Sequence, residues 1–218
     1  MMSYYDERAK EYDEVYEGRG PALGTPAVYR KDVKEISAMV SAFGRGHLID
    51  IGCGTGFWLP FYAQNCSSIT LVDQSSKMLL ECRNRIEKLG IEGQCRIIQG
   101  DFFDIDIAER SFDSACVGFL ISHLSPELEQ QFFEKLKTIF STGASLMLID
   151  SVWNVSLRGQ RGRRGSQKRR LNDGRTFRIY KRYFEMADIE KMFEQYRIEL
   201  EACYLGEAFL SARGRSVE

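Results

Sequence analysis

The chain has no two cysteines separated by two residues and only two histidines, so its six cysteines (53, 66, 82, 95, 116 and 203) form no zinc-ligand spacing. No apolar run approaches the roughly 20 residues that a membrane-spanning helix needs. The first ten residues, MMSYYDERAK, carry charge at once, so neither a secretory signal nor an anchor is expected at this end. No repeat of fixed period is visible, which excludes a solenoid. A soluble protein in a reduced, cytosolic setting is expected, with most thiols acting as small core residues.

What is present is enough for a core. Of 218 residues, 44% are apolar and 12% aromatic, and 30 Lys+Arg stand against 31 Asp+Glu. That composition offsets the entropy of ordering and excludes a largely disordered chain. One globular domain, or one domain with a small lid, fits the length. The net charge of -1 conceals an uneven distribution. Between Arg158 and Arg182 lie eleven basic residues and one acid, Asp173, whereas the remainder holds 19 basic and 30 acidic side chains. Such a contrast concerns partners or self-docking, not fold.

Periodicity predicts an amphipathic helix over 3–17, ended by Gly18-Arg19-Gly20-Pro21, and a second from Ala27 to about Phe43. Strands and helices then alternate. His47–Ile51, Ser68–Asp73, Cys95–Gln99, Phe112–Leu120 and Ser145–Ile149 read as buried strands. A helix-like stretch runs from Phe57 to Gln64, a helix capped by Ser75 or Ser76 ends at Gly90, and a long helix begins at Ser125-Pro126. A short helix near 186–195 and strand-like runs 198–204 and 208–212 close the chain. Alternation of this kind argues for a parallel sheet covered on both faces.

In an open α/β sheet the ligand sits beyond the carboxyl ends of the strands. Here those ends are polar or glycine-rich. The first strand runs into Asp50-Ile-Gly52-Cys-Gly54-Thr-Gly56, the second ends at Asp73, the third leads to Gly100-Asp101-Phe102, and the fourth to Val117-Gly118-Phe119. A dinucleotide fingerprint requires G-x-G-x-x-G, but Phe57 occupies the position of its last glycine, so NAD is disfavoured. Neither G-x-x-x-x-G-K-[ST] nor a Tyr-x-x-x-Lys pair occurs, which removes the signatures of nucleotide hydrolysis and short-chain dehydrogenase chemistry.

LIDIGCGTG, LVD, IIQGDFFDI and FDSACVGFLISHLS, over about residues 45–150, resemble the successive motifs of class I S-adenosylmethionine-dependent methyltransferases. The N-terminal SYYDERAKEYDEVY is similar to the capping helix of many small-molecule members. The resemblance implies an α/β, Rossmann-like, seven-stranded, mostly parallel sheet with helices on both faces. Its expected divisions are an N-terminal helical cap (1–44), a cofactor-binding core (45–152), a basic insertion or lid (153–182) and a C-terminal helix and strands (183–218).

The same resemblance assigns expected contacts to S-adenosyl-L-methionine and its product S-adenosyl-L-homocysteine. Gly52, Cys53 and Gly54 form the first loop, where the backbone approaches the ligand and free N–H groups favour its carboxylate. Asp50 would meet its ammonium directly or through water, and Asp73 would clamp the ribose hydroxyls. Gln74 and Met78 would edge the adenine, with Gly100, Asp101 and Phe102 on its other side. Val117, Gly118 and Phe119 would line the methionine moiety. Tyr4, Tyr5 and Tyr12 either pack the terminal helix or stand near the sulfonium, where cation–π attraction is worth about 0.5–2 kcal/mol. Methyl transfer needs alignment and a dry site, and a base only when the nucleophile is protonated. His123, following the fourth strand, is the candidate base, with a helix-flanking surface role as the alternative.

A small-molecule acceptor is the expected substrate class, and a basic lid would favour an anionic one. The alternatives are a nucleic-acid methyltransferase using the arginines on phosphates, and a protein that binds the cofactor without catalysis. Against nucleic acid, the fourth strand ends in VGFL and lacks an Asn/Asp-Pro-Pro-aromatic turn.

Overall fold

The computed structural model describes residues 2–20, 25–158 and 162–217. Its strands are β1 (His47–Ile51), β2 (Ser68–Asp73), β3 (Cys95–Gln99), β4 (Phe112–Gly118), β5 (Phe140–Ser151), β6 (Arg164–Arg170), β7 (Thr176–Arg182), β8 (Ile198–Leu205) and β9 (Phe209–Ser216). The helices are α1 (Met2–Arg8), α2 (Pro26–Ser41), α3 (Leu59–Tyr62), α4 (Ser76–Leu89), α5 (Pro126–Ile139), α6 (Val155–Arg158) and α7 (Met186–Gln195).

Seven strands form one sheet in the order β3-β2-β1-β4-β5-β9-β8. The first five are mutually parallel, and β9 runs antiparallel to both β5 and β8. Strand order reverses between β1 and β4, so a crevice opens at their carboxyl ends. Period-two alternation sorts the core residues. Ile49, Ala115, Val117, Leu146 and Leu148 face α5 and α7, where Phe132, Phe133, Ile189 and Phe193 are buried. Leu48, Cys116, Met147 and Ile149 face α2, α3 and α4 with Ile36, Leu59, Tyr62 and Leu79.

Local signals start and stop the helices as expected. The Ser75 hydroxyl accepts from Met78 N at 3.1 Å and Ser125 Oγ from Leu128 N at 3.3 Å, each capping a helix start. Gly90 ends α4 in a left-handed conformation. Buried Asp32 of α2 accepts from the backbone of Ala208 (2.7 Å) and Phe209 (3.0 Å) and from Tyr204 Oη (2.8 Å), tying the β8–β9 turn to the helix layer.

Four elements differ from the sequence expectation. The N-terminal helix is α-helical only to Arg8 and continues as a 3-10 helix over Ala9–Glu17. Asp6, Glu7 and Asp13 are each bonded to the sheet side, so tertiary anchoring overrides intrinsic preference. The helix expected over 57–64 is the single turn α3 followed by a 3-10 turn at Ala63–Asn65. Strands β5 and β9 extend beyond 145–149 and 208–212: β5 begins where Phe140 pairs with Phe112 of β4 and runs to Ser151 against β9, and β9 continues to Ser216 against β5 and β8. The alternating run Arg175-Thr-Phe-Arg-Ile-Tyr-Lys181 of the basic segment predicts a strand or hairpin arm, and the structure agrees. Residues 176–181 lie in β7, which pairs antiparallel with β6 across Arg164–Arg182 through Arg170–Thr176. Gly159 and Arg161 lie outside the described residues.

Candidate functional site

The loop after β1 is folded onto the end of β2. Gly52 N and Cys53 N both donate to Val72 O, at 2.8 and 3.0 Å, and Gly54 N donates to Asp73 Oδ2 at 2.9 Å. Gly54 has φ +54°, and a Cβ built there would find nothing nearer than Tyr12 Cε1 at 4.0 Å, on the open side of the loop. Asp73 Oδ1 accepts from Ser75 N at 2.8 Å. Both carboxylate oxygens are therefore held by backbone donors, with the Gln74 N–H acting on the same carboxylate. Burial raises the Asp73 carboxyl above its ordinary range, opposed by the N–H donors of Ser75 and Gly54.

A cavity of about 480 Å³ opens against this loop. Of the residues expected to hold a ligand, Gly52, Gly54, Asp73, Gln74, Met78, Gly100, Asp101, Phe102, Gly118, Phe119, Tyr12 and His123 line it. Tyr5, one of the N-terminal tyrosines placed by the sequence either in packing or near the sulfonium, also lines it, together with Ser75, Phe103, Leu120, Leu124 and Leu128. Leu120 and Leu124 flank the short turn after β4 and Leu128 lies in the first turn of α5, so no single periodicity joins them. One position along α1 turns a side chain from the hairpin (Tyr4) to the cavity (Tyr5).

Four expected residues do not reach the cavity wall. Asp50 is buried in the sheet, where its Oδ2 accepts from Tyr62 Oη at 2.6 Å. Burial, opposed by the Tyr62 bond and reinforced by the charge of Asp73, pushes its carboxyl up to about 7. Cys53 turns away from the cavity toward the layer containing Cys82. The alternation of β4 sends Val117 into the opposite layer, beneath α5. Tyr4 packs under the hairpin with Leu171 and Ile179, its ring 5.6 Å from that of Phe177.

His123 does reach the cavity and is buried there. Its Nδ1 lies 2.6 Å from Tyr180 O, and its Nε2 lies 2.7 Å from Tyr5 Oη. A carbonyl only accepts, so Nδ1 carries the proton and Nε2 accepts from the Tyr5 hydroxyl. Burial and then the Lys181 ammonium hold the imidazole well below its ordinary pKa, so it is neutral near pH 7. The nitrogen that could take a proton faces Tyr5.

A second cavity, of about 70 Å³, shares Tyr5, Tyr12, Phe119 and His123 with the first. Its remaining wall includes Arg8 from α1, Arg169 from β6 and Lys181 from β7. Phe119 stands between the cavities with φ +56°, a conformation bulky residues rarely adopt. Lys181 Nζ bonds to Ser122 Oγ and lies 3.1 Å from Asp150 Oδ1, at the end of β5. Burial lowers the Lys181 pKa, opposed by Asp150.

The N-terminal segment roofs both cavities. Asp6 accepts from Ser75 Oγ at 2.5 Å, Glu7 from Lys77 Nζ at 2.6 Å, and Asp13 from Thr55 Oγ1 at 2.6 Å and Arg85 at 2.5 Å. Glu7 also accepts from Arg175 of the hairpin turn at 2.7 Å. No cluster of metal-ligating side chains occurs among the described residues, and no described helix is long and apolar enough to cross a membrane.

Residues 48–143 match a family model described as a methyltransferase domain. The chain is 29% identical over 117 residues to a phosphatidylethanolamine N-methyltransferase of Cereibacter sphaeroides, covering 54% of this chain and 56% of that one. It is 26% identical over 131 residues to a dTDP-3-amino-3,6-dideoxy-alpha-D-glucopyranose N,N-dimethyltransferase of Streptomyces fradiae, covering 59% and 47%. The alignments thus span about half the length of these curated relatives. Among solved structures, a DhpI-SAM-HEP complex superposes with a TM-score of 0.75 at 22% identity, covering 98% of this chain and 94% of that chain. At that identity the likeness establishes the fold.

Proposed function

From the methyltransferase-domain match over residues 48–143 and the site geometry, we propose that the chain is a class I S-adenosylmethionine-dependent methyltransferase that transfers a methyl group from S-adenosylmethionine in the larger cavity to a small acceptor in the smaller one. The observation that carries this reading is the junction: two cavities of unequal size meet at Tyr5, Tyr12, Phe119 and His123. Donor and acceptor held on either side of such a junction are brought into reach, and alignment is most of what this displacement needs.

The residues of the larger cavity suit the cofactor. Asp73 offers its cavity-lining carboxylate to the ribose hydroxyls, and the open side of Gly54 admits close backbone approach. Asp101 uses one oxygen on Phe103 N and keeps the other for an amino group, with Phe102 supplying an apolar face. Tyr12, on the roof, has the ring face suited to a sulfonium. When bound, the cofactor supplies an electrophilic methyl group on sulfur.

The chain's own residues close the site and govern its protons. The N-terminal segment and the hairpin exclude water from the junction. Tyr5 donates to neutral His123 and presents its own oxygen lone pairs to the junction. A protonated acceptor would therefore hand its proton to Tyr5 as Tyr5 hands its own to His123. An acceptor already carrying a lone pair or charge would need neither. The smaller cavity's size favours a small molecule over a polymer. Lys168, Arg170 and Arg178 are exposed on the outer face of the hairpin and carry the nucleic-acid alternative, which a salt titration of binding tests.

Calorimetry with S-adenosylhomocysteine, followed by turnover of labelled methyl donor over a panel of small acceptors, tests the proposal. Binding with turnover on a small acid or amine is expected. No heat from folded protein would refute it, and binding without turnover on any acceptor class would leave only a cofactor-binding protein.

A further inference from the structure

The smaller cavity collects more positive charge than the protein neutralises. Arg8, Arg169 and Lys181 are 6%, 8% and 5% exposed and come from three separate elements. Lys181 has a carboxylate partner in Asp150. The other two do not: among the described residues, neither guanidinium lies within ion-pair distance of an acid. Arg169 bonds to Gln167 Oε1 (2.8 Å), Tyr183 Oη (3.1 Å) and the carbonyl of Lys168 (3.4 Å), all neutral. Arg8 reaches only Tyr12 O at 3.5 Å and otherwise lies over the rings of Tyr4 and Tyr12, 5.6 and 4.8 Å from their centroids.

Two further observations point into the same space. Arg8 Nε and Tyr4 Oη are buried and have no hydrogen-bond partner, and both residues line this cavity. Arg8 and Arg169 both act on His123 and Tyr5, placing the two charges at the same end of the junction. Arginine does not discharge itself by losing a proton, so a buried guanidinium without a counter-ion stays charged and unneutralised. A water needs only about 10–15 Å³, so this cavity takes a group of several heavy atoms.

Resting on the reading of the smaller cavity as the acceptor site, we propose that it is an oxyanion pocket, in which Arg8, Arg169 and Lys181 hold the phosphoryl-type end group of a small acceptor. Two unneutralised guanidiniums match two negative charges, which selects a phosphoryl-type dianion over a carboxylate. The unpartnered Tyr4 hydroxyl and Arg8 Nε add neutral and charged donors to its oxygens. The inward positions of β6 and β7 thus select the substrate, and the exposed arginines of the same hairpin do not.

The test uses the full chain saturated with S-adenosylhomocysteine, with inorganic phosphate and acetate as probes against chloride at matched ionic strength. Phosphate is expected to raise Tm saturably and acetate to do so more weakly. Arg8→Met and Arg169→Met are expected to lose the phosphate response at least tenfold in midpoint, while keeping cofactor affinity within threefold and Tm equal to or above the parent without phosphate. The proposal is overturned if phosphate acts no better than chloride, if acetate outperforms it, or if the variants respond as the parent does. Should either variant fail to fold, Lys168→Met on the outer face and Tyr4→Phe in the pocket decide instead: only Tyr4→Phe weakens the phosphate response if the proposal holds, and equal responses overturn it. Failure of the cofactor itself to bind the parent would instead refute the methyl-transfer reading, so the two outcomes are separable.

Discussion

Asp73→Ala is the most informative single change, because that carboxylate does two jobs at once. Its oxygens accept from Gly54 N at 2.9 Å and Ser75 N at 2.8 Å, and the carboxylate lines the cavity, where the proposed reading gives it the ribose hydroxyls. A hydrogen bond from a ligand hydroxyl to a charged acceptor is worth about 1.5–3 kcal/mol. Losing one bond at the low end costs about tenfold in affinity, and losing two about a hundredfold. Calorimetry should show S-adenosylhomocysteine binding weakened by that range. Adenosine should lose the same factor, since it carries the same pair of hydroxyls. The parent should discriminate adenosine from 2′,3′-dideoxyadenosine, and the variant should not. The two backbone N–H groups lose their acceptor as well, so Tm falls too. Asp73→Asn is no gentler, because an amide nitrogen set against Gly54 N or Ser75 N cannot accept. A folded Asp73→Ala variant that binds S-adenosylhomocysteine within threefold of the parent refutes the ribose assignment.

Three other outcomes are expected. Asp50 has its folded pKa raised to about 7, so the folded protein keeps a proton that the unfolded chain releases near pH 4, and stability is lost as pH rises across that interval. Asp50→Asn should remove a slope of about 1.4 kcal/mol per pH unit in urea denaturation between pH 5 and 7, while keeping an acceptor for Tyr62; parallel pH profiles would contradict the assignment, since the buried His123 titrates identically in both proteins. Gly54→Val puts a branched side chain at φ +54° on the open face of the loop, costing about 1–2 kcal/mol of strain, or roughly 2–8 °C in Tm, with loss of cofactor heat. The Glu7 carboxyl is drawn down to about 2 by its bonds to Lys77 and Arg175, and Glu7→Gln should speed amide exchange in α1 without changing exchange in β1 or β4; unchanged exchange in α1 would show that Glu7 does not hold the roof.

The sheet was legible because parallel strands buried on both faces leave unbroken apolar runs. Those of β1 and β2 lie where the sequence placed them, the edge strand β3 keeps its expected bounds although only partly buried, and Ser75, Gly90 and Ser125 mark helix ends by local chemistry alone. The larger cavity was legible because strand ends concentrate there, so Gly52, Gly54, Asp73, Gly100 and Asp101 announce it. The smaller cavity was not, because its walls come from elements far apart in the chain. Arg169 and Lys181 sat within a run of eleven basic residues, and a count of charge does not tell the inward side of a hairpin from the outward. The alternation Gln167, Arg169 and Ile179, Lys181 carried that information once β6 and β7 were paired. Asp50 was misplaced for a related reason: a strand's last residues alternate in direction, so a carboxylate near a glycine loop is not necessarily turned toward it.

The carboxylate of Glu7 fastens the roof on two sides, to α4 beside the larger cavity and to the hairpin turn above the smaller one. With Asp6 and Asp13 holding the same segment to Ser75, Thr55 and Arg85, a movement of that segment as a whole would uncover both cavities together. Under the proposed two-site reading, spent donor and product would then leave through the same displacement of the N-terminal segment.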